Sequence, residues 1–367
     1  MLGSLNRGGT ETLMLDTLRK KVLLPDCICV YRKTGVLEDD FRKTEVRLEM
    51  ISPDINIIKY LRRLRTFIRF EKVNIVHAQQ PIDALYAILA CYGLNIKVLL
   101  TLHGFDHHSG FIGKLILKYV LPKTAANLYV SKYVKGYYTK KYKLVEHNQL
   151  VIYNGIDVEK LQIKQQVKKE LRLELGLNKE TSLMGMVGNF VPVRDPMTVC
   201  RFLNLLNQKA VDFHFVFAGK KADSYPHIFD DCIKYCQIKG LDDRVSFLGP
   251  RTDIPSLLNQ LDAFIYATDH DTFGIAVVEA MVAGVPVFVN DWEVMNEITE
   301  FGKLATIYET KTKNVLLEIF IQFFENKHEY INKALFAKKH VIDKYSIEHH
   351  IDNLVKLYES CLSSDIK

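Results

Sequence analysis

Residues 264–289, FIYATDHDTFGIAVVEAMVAGVPVFV, join a strand, a loop, a helix and a second strand in direct succession. Apolar residues at the start predict a buried strand, and the small and apolar residues of 275–283 predict a helix packed closely on a sheet. Gly284 and Pro286 end this helix, and residues 285–289 begin the next strand. A helix that starts at the end of a strand presents free backbone N–H groups, which suits binding of an anion.

Two carboxylates of this segment, Asp271 and Glu279, are candidates for contact with a ligand. The simpler interpretation is that Asp271 or Thr272 caps the helix and that Glu279 faces solvent. The neighbours of Glu279 are apolar, however, and a carboxylate in such surroundings needs a partner or a ligand. We therefore expect a pocket for a phosphate with a polyhydroxylated group on either side, as in a nucleotide sugar.

Strand and helix patterns alternate along the whole chain, which predicts an α/β protein with parallel sheets. Its 367 residues exceed one ordinary core, so two domains are expected. We expect two doubly wound, Rossmann-like domains, at 1–153 and 154–345, facing each other across a cleft. A polar helix over 165–175 should follow the junction, and a C-terminal helix within 346–367 should pack back across both domains.

Three further loops are expected at the same cleft. Gly8 and Gly9, before a predicted helix over 12–18, would let a phosphate approach the backbone, although such a pair is often only a turn. His103 follows a strand, a position where a lone histidine is usually a hydrogen-bonded structural residue. Arg194 precedes a predicted helix cap and could bind phosphate oxygens in a bidentate manner. The alternative for Arg194 is a surface arginine paired with a carboxylate.

The formal net charge of +6 conceals an asymmetry. Residues 1–150 carry 24 Lys and Arg against 13 Asp and Glu, whereas the remainder carries 25 against 30. Two basic segments, residues 59–72 and 114–143, could dock on an anionic membrane surface. The alternative is that the apolar stripe of residues 59–72 faces the core beneath a solvated basic face. Nucleic-acid binding is not expected, because no recognition motif accompanies the charge.

Several classes of protein do not fit this sequence. No apolar run approaches the roughly 18–20 residues of a membrane-spanning helix, and residues 1–15 lack the apolar core of a signal peptide. The seven cysteines are scattered without zinc-like spacing, so reduced thiols are expected. An Asp-x-Asp triplet at 269–271 superficially matches a metal motif, but such triplets are common by chance. We expect a cytoplasmic protein without a metal or a cofactor.

Six motifs together resemble those of the retaining glycosyltransferases of family 4, which have the two-domain GT-B fold. The motifs, in chain order, are NRGGTE (6–11), TLHGF (101–105), VIYNGID (151–157), VGNFVPVRDP (187–196), FLGPRTDIPSLL (247–258) and DTFGIAVVEAMVAGVPV (271–287). Within the family, the chain is similar to enzymes that build bacterial surface polysaccharide or lipopolysaccharide. The resemblance implies metal-independent transfer of a sugar from a nucleoside diphosphate sugar to a glycan or lipid-linked acceptor, with retention.

The resemblance also implies roles for eight residues. The diphosphate of the donor would be bound by the N–H groups of Gly8 and Gly9, by Arg194 and by the helix start at Phe273 and Gly274. Two further roles concern sugars. Glu279 would hold the ribose hydroxyls, whereas Asp271 and His103 would line the site of the transferred sugar. Asp271, His103 and Arg194 are the expected catalytic residues.

The chain departs from the family pattern at several positions. Asp271 stands in place of a glutamate, Thr272 in place of a glycine, and Asn189 where many relatives have a second arginine. Only residues 1–5 precede NRGGTE, where the family has a full strand, so a truncated start or a wrong initiating methionine is expected. These departures leave two alternatives open: a catalytically silent nucleotide-sugar binder or partner subunit, and a sugar-nucleotide epimerase of similar fold.

Overall fold

The computed structural model describes residues 1–53, 56–107, 109–161 and 170–363. The chain divides into two compact units. Unit 1 comprises Met1–Gly155 and Tyr345–Lys367, and unit 2 comprises Ile156–Lys344. Each unit alternates strands and helices, so the α/β class predicted from the sequence is confirmed. The helix predicted over residues 165–175 lies partly outside the described residues.

The described part of unit 1 contains six short strands and seven α-helices. The strands are β1 (Ile28–Tyr31), β2 (Arg47–Met50), β3 (Ile75–Ala78), β4 (Lys97–Leu102), β5 (Ala126–Tyr129) and β6 (Gln149–Val151). The helices are α1 (Gly9–Arg19), α2 (Glu38–Arg42), α3 (Ile57–Phe70), α4 (Pro81–Ala90), α5 (Phe111–Val120), α6 (Lys132–Tyr142) and the C-terminal α16 (Ile347–Ser363). Strands β3 to β6 form a parallel sheet in chain order, and β1 pairs with β2.

The first residues of the chain lie between these two groups of strands. The N–H of Leu2 donates to the carbonyl of Val30 at 2.9 Å, while the carbonyl of Met1 accepts from the N–H of Gln79 at 3.1 Å. Leu2 forms a single parallel bridge with Tyr31 instead of a strand. Residues 1–2 therefore form backbone hydrogen bonds with β1 on one side and with the residue that follows β3 on the other.

Helix α3 carries the first of the two basic segments, and its apolar stripe is buried. Leu64 and Ile68 are buried in the core of unit 1, with Leu61 packed against them. The guanidinium of Arg65 donates to the carbonyls of Ala90 and Tyr92 at 2.8 and 2.6 Å. The stripe thus faces the core beneath a basic face, which is the alternative weighed above.

In unit 2 the described residues form six strands, with nine α-helices around them. The strands are β7 (Ser182–Val187), β8 (Phe213–Ala218), β9 (Val245–Gly249), β10 (Ala263–Tyr266), β11 (Val287–Asn290) and β12 (Thr306–Tyr308). The helices are α7 (Val158–Leu161), α8 (Glu170–Glu174), α9 (Pro196–Gln208), α10 (Pro226–Ile238), α11 (Ile254–Leu258), α12 (Ile275–Ala283), α13 (Glu293–Ile298), α14 (Lys313–Glu325) and α15 (Lys327–Tyr345).

The sheet of unit 2 has the strand order β12-β11-β10-β7-β8-β9, and all its pairs are parallel. This is the doubly wound order, in which the direction of winding reverses between β7 and β10. Ligands of such sheets bind beyond the carboxyl ends of the strands at this reversal. The loops that follow β7 and β10 therefore define where a ligand of unit 2 is expected.

The exclusions made from the sequence can be compared with the described residues. In that part of the chain, no helix combines the length and the apolar character needed to cross a membrane. All seven cysteines are free. No group of three or more His, Cys, Asp or Glu side chains in the same residues is arranged to hold a metal ion.

Candidate active site

The loops after β7 and β10 are joined by backbone hydrogen bonds. The N–H of Asp195 donates to the carbonyl of Ala267 at 3.1 Å, and the N–H of Asp269 donates to that of Val193 at 3.0 Å. Between these bonds, Arg194 and Thr268 form an antiparallel bridge. Arg194 is thereby held next to the DTFG segment, as the sequence motifs suggested.

The helix after Arg194 begins as the sequence predicts. The Asp195 carboxylate accepts hydrogen bonds from the N–H of Thr198 at 3.1 Å and from its hydroxyl at 2.6 Å. Pro196 occupies the first turn of α9, where its missing N–H costs nothing. The predicted cap is confirmed, and it fixes the backbone from which the Arg194 side chain extends.

A close approach of two glycines sets the start of the first loop. A Cβ atom on Gly219 would lie 1.9 Å from the carbonyl oxygen of Gly188, so only glycine fits there. The N–H of Gly188 donates to the carbonyl of Ala218 at 2.9 Å, which holds the loop against the end of β8. The sequence analysis did not identify Gly219. A glycine directly after a buried strand was the available signal.

The guanidinium of Arg194 is partly buried and has three kinds of contact. Its Nη1 donates to Asp271 Oδ2 at 2.9 Å and to the Thr268 hydroxyl at 3.1 Å. Its carbon lies 4.8 Å from the centroid of the Tyr266 ring. Its Nε is buried without a hydrogen-bond partner among the described residues, and lies 3.4 Å from where a Cβ on Gly188 would stand. One charged donor is therefore left unused.

Asp271 is the centre of this site, with a side chain only 11% exposed. Its Oδ2 accepts from Arg194 and from the Tyr266 hydroxyl, the latter at 2.6 Å. Its Oδ1 accepts from the backbone N–H groups of Thr272, Phe273 and Gly274 at 2.7, 3.2 and 3.1 Å.

These contacts determine the ionisation of Asp271. Burial by itself would raise the pKa of this carboxyl. The positive charge of Arg194, the Tyr266 hydroxyl and the backbone N–H groups outweigh burial, so the pKa lies below its ordinary value. Asp271 is consequently a carboxylate throughout the neutral range.

The hydrogen bonds of Asp271 change the expectation for the helix start. The N–H groups of Phe273 and Gly274, which the resemblance offers to a diphosphate, donate to the Asp271 carboxylate instead. Oδ1 of Asp271 therefore caps the start of α12, as the simpler interpretation expects. Oδ2 instead accepts from Arg194 and Tyr266. Gly274 has φ of +82° at the start of α12, a conformation that favours glycine.

Glu279 lies on α12, one of the most apolar helices of unit 2. Its side chain is partly buried, and its negative charge contributes to raising the pKa of the buried Tyr266, after burial itself as the largest cause. Both Glu279 and Asp271 contribute to raising the pKa of Tyr266, the residue that also contacts Arg194. Glu279 is thus not fully exposed to solvent.

Two supporting residues were missed by the sequence analysis. Asn290, at the carboxyl end of β11, accepts from the N–H of Thr268 at 2.9 Å and donates to its carbonyl at 2.8 Å. The indole N–H of Trp292 donates to the carbonyl of Asp271 at 3.2 Å. Both hold the loop that carries Asp271. The available signal was their position, since Asn290 is the last residue of the buried strand β11 and Trp292 follows it closely.

Gly8 and Gly9 lie in unit 1, at the start of α1. Gly8 is the N-cap and Gly9 the first helical residue, so the helix begins earlier than predicted. The Glu11 carboxylate folds back onto Gly8, within 2.5 Å of where a Cβ would stand. A second close approach supports this loop, since a Cβ on Gly35 would lie 2.1 Å from the backbone of Leu5.

His103 also belongs to unit 1, at the end of β4. Its Nε2 is 2.8 Å from Oε1 of the buried Gln79, which follows the neighbouring strand β3. Burial, with a smaller contribution from His350, lowers the pKa of His103 to about 4. The imidazole is therefore neutral near pH 7, and an amide oxygen at Nε2 favours the tautomer with hydrogen on that nitrogen.

Several side chains of the second basic segment, residues 114–143, stabilise the fold of unit 1. Asp106, 1% exposed, accepts hydrogen bonds from the hydroxyls of Tyr137 and Tyr142 and from Lys141 Nζ, the last at 2.7 Å. The hydroxyl of Tyr138 donates to the carbonyl of Gly104 at 3.0 Å. These side chains of α6 anchor the loop after β4 and so help to position His103.

Comparison with known proteins identifies the family of this chain. The sequence profile described as "Glycosyltransferase Family 4" matches residues 28–160, and the one described as "Glycosyl transferases group 1" matches residues 167–340. The chain is 23% identical over 305 residues to the N-acetyl-alpha-D-glucosaminyl L-malate synthase of Bacillus anthracis. This alignment covers 80% of this chain and 77% of that protein.

A second relative and a solved structure extend the comparison. The lipopolysaccharide core biosynthesis mannosyltransferase LpsB of Rhizobium meliloti (strain 1021) is 23% identical over 292 residues, covering 78% of this chain and 79% of that protein. The crystal structure of Anabaena Alr3699/HepE in complex with UDP-glucose has a TM-score of 0.84 at 16% identity, over 98% of this chain and 99% of that chain. This chain therefore belongs to glycosyltransferase family 4, has the GT-B fold and is a nucleotide-sugar-dependent glycosyltransferase.

Proposed function

We propose that this enzyme transfers a sugar, with retention, from a UDP-sugar to a lipid-linked glycan acceptor in the synthesis of a cell-surface polysaccharide. The observation that carries the donor half of this proposal is the buried, unpartnered Nε–H of Arg194. A charged donor without a partner is costly in a folded protein, and a phosphate oxygen would satisfy it. UDP as the donor nucleotide is supported by the HepE complex with UDP-glucose.

The chemistry assigned to unit 2 follows from the charges around Arg194. As the glycosidic bond to the diphosphate breaks, negative charge grows on the phosphate oxygens, and the Arg194 guanidinium stabilises it. We assign Glu279 to the ribose hydroxyls, because two neighbouring hydroxyls can both donate to one carboxylate. Asp271 holds Arg194 in place through Oδ2, and it lines the site of the transferred sugar.

Three residues of unit 1 also have roles toward the donor in this proposal. We assign Gly8 and Gly9 to the diphosphate, with the Glu11 carboxylate moving away from Gly8 as the anion arrives. His103 is assigned to the transferred sugar as a neutral hydrogen-bonding group. Its low pKa suits this role, because a neutral imidazole adds no positive charge beside the developing oxocarbenium ion.

The names of relatives support two classes of acceptor. The Bacillus anthracis enzyme is named for a small acceptor, malate, and LpsB for a lipopolysaccharide core. Helix α5 favours the second class. Its residues Phe111 and Ile112 are 78% and 71% exposed, and Leu115 and Tyr119 are exposed as well. Exposed apolar side chains beside lysines are typical of a surface that lies on an anionic membrane.

We therefore propose peripheral attachment at the cytoplasmic membrane face, where lipid-linked acceptors are presented. In residues 114–143 the apolar part is the exposed side of α5. In residues 59–72 only the basic face takes part, through exposed side chains such as Arg62 and Lys59. Each cation near an anionic surface contributes up to about 1 kcal/mol.

A thermal-shift screen of UDP-sugars tests the donor site. A cognate donor should raise the melting temperature of the wild-type protein, because it binds only the folded state. Arg194→Ala and Glu279→Ala should each lose most of that shift. The exposed Arg201→Ala and Glu318→Ala provide matched controls and should keep it. Equal shifts in all five proteins would refute the assigned site.

Vesicle sedimentation tests the membrane surface separately. The double substitution Phe111→Ser and Ile112→Ser should reduce binding to anionic vesicles, while UDP-sugar shifts remain. The same change at Val22 and Leu23, which are also exposed but lie outside both basic segments, should leave binding unchanged. Binding that is unaffected by the α5 substitutions would remove the argument for a membrane-bound acceptor.

A further inference from the structure

A cavity of about 380 Å³ lies in unit 1, between the end of α5, the end of α6 and the start of β6. Its lining includes the exposed apolar residues Pro122 and Val145 and the polar residues Lys118, Lys143 and His147, whereas the lining residues Leu117 and Leu121 are almost fully buried. No aspartate or glutamate is among the described residues that line it. The cavity therefore combines an apolar wall with a rim of positive or hydrogen-bonding groups.

The lysines of this cavity differ from their neighbours on α6. Lys135 pairs with Glu146 at 2.7 Å, and Lys141 pairs with Asp106 at 2.7 Å. Among the ion pairs of the described residues, none includes Lys118 or Lys143. Both are exposed. Their charges are thus available to an anion.

The backbone at Lys143 is in an uncommon conformation. Its φ is +52°, in the left-handed region that favours glycine, and the N–H of Leu144 donates to the carbonyl of Thr139 at 3.1 Å to close the helix end. A lysine at such a position is strained relative to glycine. This strain is consistent with a task for the Lys143 side chain at the cavity.

The cavity adjoins the exposed apolar side of α5. At 100° per residue, Phe111, Ile112, Leu115 and Tyr119 occupy about a quarter of the helix circumference, as the period of 3.6 residues requires. Lys114 and Lys118 lie along one border of this apolar arc. Leu117 and Leu121, which line the cavity, lie beyond those lysines. Around the helix, therefore, the two lysines separate the exposed apolar arc from the residues that line the cavity.

We propose that this cavity binds the phosphate headgroup of an anionic phospholipid. The proposal rests on the membrane attachment proposed above and identifies the lipid that α5 selects. The phosphate is bound by Lys118 and Lys143 with His147 beside them, and the glycerol and first acyl carbons pack on Pro122 and Val145. The chemistry recognised is a phosphodiester attached to an apolar chain, so a free phosphate lacks half of the contacts.

Isothermal titration with dihexanoyl phosphatidylglycerol, below its micelle concentration, tests the site without a membrane. Binding to the wild-type protein is expected. Lys118→Gln and Lys143→Gln should each weaken it about tenfold, which corresponds to one charged hydrogen bond. Lys140→Gln is the matched control, because Lys140 is exposed on α6 but does not line the cavity, and it should bind as the wild type does.

Two further ligands identify the source of the phosphate. Dihexanoyl phosphatidylcholine and inorganic phosphate should both bind much more weakly than the phosphatidylglycerol. Absence of phosphatidylglycerol binding, equal affinities in all three lysine variants, or equal affinity for phosphatidylcholine would overturn the proposal. Inorganic phosphate binding as tightly would show a free-anion site instead. UDP-sugar thermal shifts in the same variants report on the donor site independently, and they should not change.

Discussion

At the scale of single residues, the central feature is the ion pair between Arg194 and Asp271. Both side chains are mostly buried, and each is also hydrogen-bonded to other groups. A buried pair of this kind stabilises little by itself, but removing one partner leaves the other charge uncompensated. The pair therefore keeps Arg194 oriented when the donor is absent.

The substitution Asp271→Asn should destabilise unit 2 by about 1–3 kcal/mol, because the Arg194 charge loses its partner while the backbone N–H groups keep an acceptor. Urea denaturation at pH 7 measures this loss. Asp230→Asn, at an exposed ion pair with Lys221, is the control and should cost less than about 1 kcal/mol. A free energy of unfolding that is the same in both variants would contradict the assigned pair.

The same pair predicts a pH dependence. The pKa of Asp271 is lower in the folded state than in the unfolded chain, so its contribution is fully present above the unfolded pKa of about 3.9. The contribution is lost as pH falls through the folded pKa. The difference in stability between wild type and Asp271→Asn should therefore be constant above about pH 5 and shrink below pH 4. A difference that grows on acidification would contradict this assignment.

At the scale of elements, the alternating pattern of the sequence predicts the α/β class, and within residues 264–289 it predicts helix α12 with a strand on either side. The pattern also places Arg194, Asp271 and His103 after strands, because a polar residue there is read directly from the chain. The pattern does not predict which hydrogen-bond partner each polar group has. Asp271 accepts hydrogen bonds from three backbone N–H groups because of the turn geometry at Gly274. The periodicity of apolar residues in the sequence does not predict this geometry.

The two basic segments, residues 59–72 and 114–143, also show that the sequence pattern does not predict how side chains pack. The stripe of α3 and the exposed side of α5 are both apolar residues at helical spacing. Their difference arises from packing, since α3 covers the core of unit 1 whereas Phe111 and Ile112 begin a helix with that side uncovered. The contact of Gly219 with Gly188 is likewise a meeting of two strand ends that are distant in sequence.

Gly219→Ala should test that contact. The added Cβ would meet a backbone oxygen at 1.9 Å, so the loop after β7 must move, and a loss of stability above about 2 kcal/mol is expected. The UDP-sugar shift should also fall, because Arg194 moves with the loop. Gly136→Ala is the control. Gly136 lies inside α6 with open space around it, and its replacement should stabilise by roughly 0.5–1 kcal/mol. A tolerated Gly219→Ala would contradict the close approach.

At the scale of the whole molecule, unit 1 contains several buried neutral histidines. Burial is the largest cause in each case, and it lowers the pKa of His77 to about 3 and those of His103 and His350 to about 4. In the unfolded chain these groups titrate near pH 6.5. Between about pH 6.5 and 4 the unfolded state therefore binds more protons than the folded state.

Stability should consequently fall as the pH is lowered through this window, by about 1.4 kcal/mol per pH unit for each histidine. Denaturation of the wild type between pH 7 and 4.5 measures the slope. His350→Gln keeps a donor for the Tyr153 carbonyl and should reduce the slope by about one histidine's share. His328→Gln, an exposed position in unit 2, is the control. An unchanged slope in His350→Gln would contradict the neutral state of this side chain.

The account as a whole depends on Arg194 binding the diphosphate of the donor. Isothermal titration of UDP and of uridine against the wild type and Arg194→Ala separates this contact from the rest of the nucleotide site. UDP affinity should fall about 10- to 150-fold in Arg194→Ala, the equivalent of about 1.5–3 kcal/mol for a charged hydrogen bond, while uridine affinity and the Arg201→Ala control stay unchanged. Equal losses for UDP and uridine, or no loss for UDP, would contradict the account.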